Sequence, residues 1–344
     1  MRKEVLALGC ALMVFCGCGK NNAAQHYESG WAAMGKKDYT TAVNEFQQVI
    51  DQNSRLAESY RAEGIAYYSE KAYPEAIAAF SRSLNNMDDP DKEFKKDVQF
   101  YLAQARMDYG EVDKAIEVYS EILKAGEDEQ AFFLRGKAYI SMEDYKNAEK
   151  DFQRALEGCE DYNLYINIYQ IYVDHNKAVD GDAYLKMALE LEPQDGEDCY
   201  HRGRIYEYEK NYEAARDELK TAMEQGYEDA MLLLGRVYLE MEDPASARSM
   251  YQEYLQKSEQ GAKAYNGLAM CDIYDGAYDS ALENIAQGLK ENSKEDEQGL
   301  LYNEIVAYEY KRDFATAKEK MKIYLEQYPE DEAALRENEF LSTR

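Results

Sequence analysis

One residue pattern returns nine times along these 344 residues, at spacings of 32 to 39. Each copy closes on a small residue: Ala42, Ala76, Ala115, Ala148, Gly181, Ala215, Ala247, Ala281 and Ala317. Three residues earlier stand Tyr39, Tyr73, Val112, Tyr145, Ala178, Tyr212, Pro244, Tyr278 and Phe314. A helical unit of this length leaves an apolar face that only the next unit can cover. The expected fold is therefore all-α, a solenoid of stacked helix pairs.

Counting so that the small residue is position 20, the copies begin near Ala23, Ala57, Lys96, Glu129, Tyr162, Gly196, Glu228, Ala262 and Gln298. Position 8 is small in most copies, as in Gly30, Gly64, Ala103, Gly136, Gly203, Gly235 and Ala269. Position 11 is Tyr in six of the nine, and position 24 is bulky, as in Phe46, Phe80, Tyr119, Phe152, Leu219 and Tyr251. This pattern resembles the tetratricopeptide repeat, a helix-turn-helix unit, over residues 23–331. The resemblance implies a right-handed α-solenoid of about nine repeats, with residues 332–344 as a half-polar C-terminal capping helix. Small residues at 8 and 20 are expected to let the paired backbones touch, with large residues filling the space beside them. Two copies depart from the pattern. Extra residues with turn chemistry, Asn85 to Asp91, separate copies two and three. Copy five carries Tyr169 at position 8 and Ala178 at position 17.

The first residues carry a different signal. Arg2 and Lys3 precede an apolar run from Val5 to Phe15, followed by Cys16-Gly17-Cys18-Gly19. A charged start, a short apolar stretch and small residues describe a secretory signal. The run falls short of the roughly 20 residues that span a bilayer. Phe15-Cys16-Gly17-Cys18 resembles the lipobox of bacterial lipoproteins. That resemblance implies removal of residues 1–17, a diacylglyceryl group on Cys18, residues 18–22 as a short tether, and a place at the extracytoplasmic face of a bacterial membrane. Diacyl anchoring meets the requirement for more than one chain in stable attachment. Cys159, Cys199 and Cys271 are then scattered and read as packing residues.

A net charge of −28 repels nucleic acid and anionic headgroups, so membrane contact is expected through the lipid alone and nucleic-acid binding is not expected. The three histidines, His26, His175 and His201, fall in different copies and form no helix-spaced pair. No phosphate loop or nucleophile motif occurs. Asp195-Gly196-Glu197-Asp198 lacks the ligand ladder of a calcium loop and reads as a solvated turn. The expectation is a non-enzymatic protein with no cofactor or metal.

Most of the 32 tyrosines fall at framework positions. By resemblance, positions 2, 5, 6, 9, 12 and 13 line the concave groove. That places Tyr68, Tyr200, Tyr208 and Tyr274 there, and Trp31, Lys137, Arg204 and Arg236 on its position-9 row. Aromatic and Arg side chains are the types enriched at binding hot spots. The three bases read in two ways: as a basic centre that draws in an acidic or carboxylate-bearing segment, or as surface groups neutralised by Glu207, Asp229 and Glu240. The family's carboxylate clamp is not reproduced, because Asn167 and Asn303 lack the lysines it needs. The expected role is an interaction scaffold or assembly factor that binds a protein or peptide segment. The alternative is capture of a glycan or oligopeptide for a transporter or surface enzyme.

Overall fold

A computed structural model describes residues 22–87, 91–258 and 260–344. The signal segment and Cys18 lie outside the described residues. Within them the chain forms nineteen helices and no strand. The first unit holds α1 (Asn22–Gly35), α2 (Tyr39–Asp51), α3 (Leu56–Ser69), α4 (Tyr73–Asn85), α5 (Lys92–Tyr109), α6 (Val112–Ala125), α7 (Glu129–Ser141), α8 (Tyr145–Ala155) and α9 (Tyr162–Asp174). Next comes α10 (Ala178–Leu189), inside which one compact unit, Met1–Asp182, gives way to a second, Ala183–Arg344. The second unit continues with α11 (Gly196–Tyr208), α12 (Tyr212–Glu224), α13 (Ala230–Glu240), α14 (Pro244–Lys257), α15 (Ala262–Tyr274), α16 (Tyr278–Lys290), α17 (Lys294–Tyr310), α18 (Phe314–Gln327) and α19 (Glu332–Ser342). In each unit a helix packs on its sequence neighbours and first helices also touch the next first helix, as α1 touches α3 and α13 touches α15. This is the layering of a helical-repeat solenoid.

The packing keeps the expected close approach of positions 8 and 20, where a Cβ on Gly203 would lie 3.5 Å from the Ala215 carbonyl oxygen, and adds a contact to it. The small residue at position 8 faces the large side chain at position 24 of its own copy. A Cβ on Gly30 would lie 2.5 Å from the Phe46 ring, one on Gly64 2.6 Å from Phe80, and one on Gly136 2.7 Å from Phe152. The glycine makes room for a ring. Copies eight and nine use aliphatic pairs instead, Ala269 with Ile285 and Ile305 with Met321, all four buried. Each pairing closes the contact at the density of a packed interior. Copy five reverses the arrangement. Tyr169 is buried at position 8, and position 20 is Gly181, whose added Cβ would lie 2.9 Å from the Tyr172 Cβ and 3.1 Å from the Tyr169 ring. Its departure from the pattern is a compensated exchange.

A backbone feature marks every copy. Position 15, between the paired helices, has positive φ in all nine: Lys37, Lys71, Gly110, Glu143, Asn176, Lys210, Glu242, Gly276 and Arg312. Only two are glycine, although the left-handed region costs an ordinary residue roughly 1–2 kcal/mol. Asp or Asn at position 16 then caps the second helix. Asp38 accepts from the Thr41 N–H, Asp144 from Asn147, Asn211 from Ala214, Asp243 from Ser246 and Asp313 from Thr316. The extra residues before copy three lengthen its first helix, since α5 has 18 residues and Asp91 caps it at the Glu93 N–H. Residues 88–90 lie outside the described residues.

Ion pairs join positions 7 and 23 in three copies. Arg135 holds Asp151 with two bonds of 2.7 Å, and Arg202 holds Glu218 at 2.8 Å. In copy nine the polarity reverses, with Lys320 2.7 Å from Glu304. In copy two Glu63 is buried opposite Ala79, one carboxylate oxygen has no partner, and burial raises its pKa. The C-terminal α19 repeats the burial of a first helix. Ala334 and Leu341 are buried, as Ala230 and Val237 are in α13, while Leu335 and Phe340 stay exposed.

Candidate binding cleft

The second unit contains a cleft of about 750 Å³. Its lining follows the repeat register. Asp229, Leu232, Leu233 and Arg236 occupy positions 2, 5, 6 and 9 of copy seven; Lys263, Asn266, Gly267 and Met270 occupy the same positions of copy eight. Tyr200, at position 5 of copy six, closes one side. Consecutive first helices thus present equivalent faces to one space. The volume falls within the roughly 300–1,000 Å³ typical of ligand sites.

The floor is aromatic. Tyr251, at position 24, lies between copies seven and eight: a Cβ on Gly235 would stand 2.6 Å from its ring, and one on Gly267 closer still. Two glycines are therefore required for one ring. Tyr254 is buried beside it, and Met270, 40 % exposed, forms an open wall. Tyr200 packs on Tyr227 with ring centroids 4.9 Å apart. Burial raises both phenol pKa values, that of Tyr227 to about 12, so both hydroxyls stay protonated.

Both bases of the cleft are already engaged. Arg236 forms a two-bond contact with Glu207, Nη2 to Oε2 being 2.6 Å. Burial opposes its charge, but Glu207 outweighs that cost and raises its pKa. Lys263 lies 3.2 Å from Glu295 and 3.9 Å from Asp296, which again outweigh burial. Asp229, at the start of α13, makes no capping bond, and neither it nor Glu291 carries an ion pair among the described residues. Two of the four carboxylates lining the cleft thus make no ion pair, although Asp229 stands within the field of Lys263.

Of the residues expected in the groove, Tyr200 and Arg236 line this cleft. Arg204 sits 5.9 Å over the Tyr200 ring and 3.3 Å from the His201 Nδ1. Tyr208 ends α11 half-buried. Tyr274 is 55 % exposed at the end of α15. The others belong to the first unit. Trp31 is half-buried against Phe46, 5.5 Å between centroids, at the edge of a core cluster. Tyr68 donates its hydroxyl to Asp108 and packs on Tyr73. Lys137 is exposed on α7. The three bases are therefore divided, Lys137 in one unit and the two arginines in the other. Asn303 donates to the Asn266 carbonyl at 2.8 Å. Asp195 caps α11 at the Glu197 and Asp198 N–H groups. The position-9 row did not reveal Asp229, Leu232, Lys263 and Asn266; the signal for them was positions 2 and 5 of the same register.

Fold and cleft together define a helical-repeat protein with a ligand-sized groove built from its first helices. Sequence models of the tetratricopeptide repeat match residues 27–91, 200–262 and 232–297, and a second model with the same description matches 129–161. Together they cover more than half of the chain, which belongs to the tetratricopeptide repeat family. Among solved structures, a tetratricopeptide repeat protein from Parabacteroides merdae is 16 % identical, covers 83 % of this chain and 99 % of its own, and has a TM-score of 0.46. Yeast Tom70 is 15 % identical over 89 % of this chain and 78 % of its own, with a TM-score of 0.47. YrrB, described as a TPR protein with an unusual peptide-binding site, is 26 % identical over 55 % of this chain and 97 % of its own, with a TM-score of 0.36. No curated protein matches the chain.

Proposed function

We propose that this protein is a non-enzymatic scaffold or assembly factor that binds a peptide or protein segment in the cleft of its second unit. It acts at the extracytoplasmic face of a bacterial membrane, held there by lipid on Cys18. The observation that carries the binding role is the register of the cleft: positions 2, 5, 6 and 9 of consecutive copies face one space with an aromatic floor. Of the row Lys137, Arg204 and Arg236 that suggested an acidic partner segment only Arg236 lines the cleft, and it and Lys263 already hold carboxylates, so that expectation is not carried over to this site. Among the described residues no helix is long and apolar enough to cross a membrane, so attachment in this reading is made by Cys18. A photocrosslinking residue at Met270 in membrane-bound protein should capture a polypeptide, and Cys18→Ala should move the protein to the soluble fraction. Capture of no polypeptide would overturn the binding role; retention of Cys18→Ala in membranes would overturn the tether.

A second reading, glycan capture, has one observation in its favour. Tyr278 and Tyr310 stack with centroids 6.0 Å apart and planes 19° apart, and Tyr310 is 60 % exposed. Binding of soluble glycan, lost in Tyr310→Ala, would favour it over the scaffold.

A further inference from the structure

We infer that the cleft selects a segment in which a cationic side chain stands next to apolar or aromatic ones. The inference rests on the cleft being the binding site and assigns the chemistry of its ligand. It follows from counting which charges are still free. Four carboxylates and two bases line the space, and one further carboxylate, Glu207, reaches in to hold Arg236. Each base is satisfied within the protein: Arg236 by both oxygens of Glu207, and Lys263 by Glu295 and Asp296.

An incoming carboxylate would therefore have to displace an internal partner, and would approach the remaining acids while doing so. An incoming ammonium or guanidinium displaces nothing. It meets Asp229, which makes no cap bond at the start of α13, and Glu291, at the end of α16. The body charge of −28 adds attraction at longer range, focused where low-dielectric walls enclose the space.

The apolar half of the specificity comes from the other wall. Leu232, Leu233 and Met270 flank the floor made by Tyr251 and Tyr254. Met adapts its shape to what it meets, and ring faces attract a cation as well as an apolar group. A Lys or Arg stem can lie on this surface while its head stays among the carboxylates that line the same space.

The test is selection from a phage-displayed library of random twelve-residue peptides, panned on the purified protein. Three targets are compared: wild type, Asp229→Asn with Glu291→Gln, and Met270→Trp, which fills the cleft without changing its charge. Helicity measured by circular dichroism should be unchanged in both variants. Wild type should enrich Lys or Arg beside Leu, Phe, Tyr or Trp, and the neutralised variant should lose at least tenfold of that basic enrichment. The filled cleft should lose the whole selection. Enrichment of Asp or Glu that Met270→Trp abolishes would overturn the charge assignment and leave the cleft as the site. Enrichment unaffected by Met270→Trp, or none at all, would overturn the cleft as the site.

Discussion

Copies four and nine make the same two contacts with opposite chemistry. In copy four Arg135 reaches across to Asp151, and Gly136 yields space to the Phe152 ring. In copy nine the acid is on the first helix, as Glu304, and the base on the second, as Lys320. Beside them Ile305 and Met321, both buried, fill the contact that glycine and a ring fill in copy four. What these two copies share is an ion pair between positions 7 and 23 and a filled contact between positions 8 and 24.

Breaking the ion pairs should separate the copies most. Asp151 is 6 % exposed and Arg135 18 %, so Asp151→Ala strands a largely buried guanidinium at a cost of about 3–5 kcal/mol. Lys320→Ala leaves Glu304, 14 % exposed, without its single contact, and because the lysine site itself is 37 % exposed water can reach the vacated side, so the cost should be smaller, about 1–3 kcal/mol. Urea midpoints of the two variants check this, and equal losses would end the comparison. Reversing copy four to the polarity of copy nine, with Arg135→Glu and Asp151→Lys together, should recover on the order of 1–3 kcal/mol of what the single changes lose.

Volume comes next. Gly136→Ala puts a methyl 2.7 Å from Phe152 and should cost about 1–3 kcal/mol. Adding Phe152→Met, the choice of copy nine, should make that methyl less costly than it is beside the ring. A double-mutant cycle by thermal unfolding reads the coupling, and strict additivity would refute volume sharing.

Acid titration distinguishes copy nine further. Burial, together with the charge of Glu337 on α19, raises the Glu309 pKa from 4.5 to about 7. A carboxyl whose folded pKa is raised favours the folded state below its unfolded pKa, and that contribution is lost as pH rises towards the folded value. The midpoint should therefore fall between pH 4.5 and 7, and Glu309→Gln should remove that slope while leaving the cap docked. Smallest is the effect at the turn. Glu143→Gly in copy four should gain up to about 1 kcal/mol by relieving a left-handed glutamate, less the backbone entropy of glycine. The matching Arg312→Gly in copy nine should give a similar gain.

The fold was legible because packing demands small residues at fixed intervals, and Ala42 through Ala317 supply them. Volume sharing was half legible. Glycine at position 8 was visible, but its partner sits sixteen residues later, and only the paired helices bring Gly30 to Phe46. The turn at position 15 was not legible, since Lys37, Glu143 or Arg312 announces no positive φ. The ion pairs were hidden by abundance: in a chain this acidic, Asp151 looks like any other carboxylate until Arg135 is seen against it. Register placed Tyr200 and Arg236 at the cleft. It left two readings of Arg236 open, a free base or one neutralised by Glu207, and the structure selects the second.

The ring of Tyr251 has one more consequence. It fills the gap between Gly235 and Gly267, and its edge is part of the floor on which a bound segment would rest. Occupancy and cohesion are therefore linked thermodynamically. Whatever fills the cleft opposes separation of copies seven and eight, so amide hydrogen exchange in α13 and α15 should slow on binding. By the same linkage, fraying of copy eight releases the ligand, which makes the grip as durable as the seam beneath it.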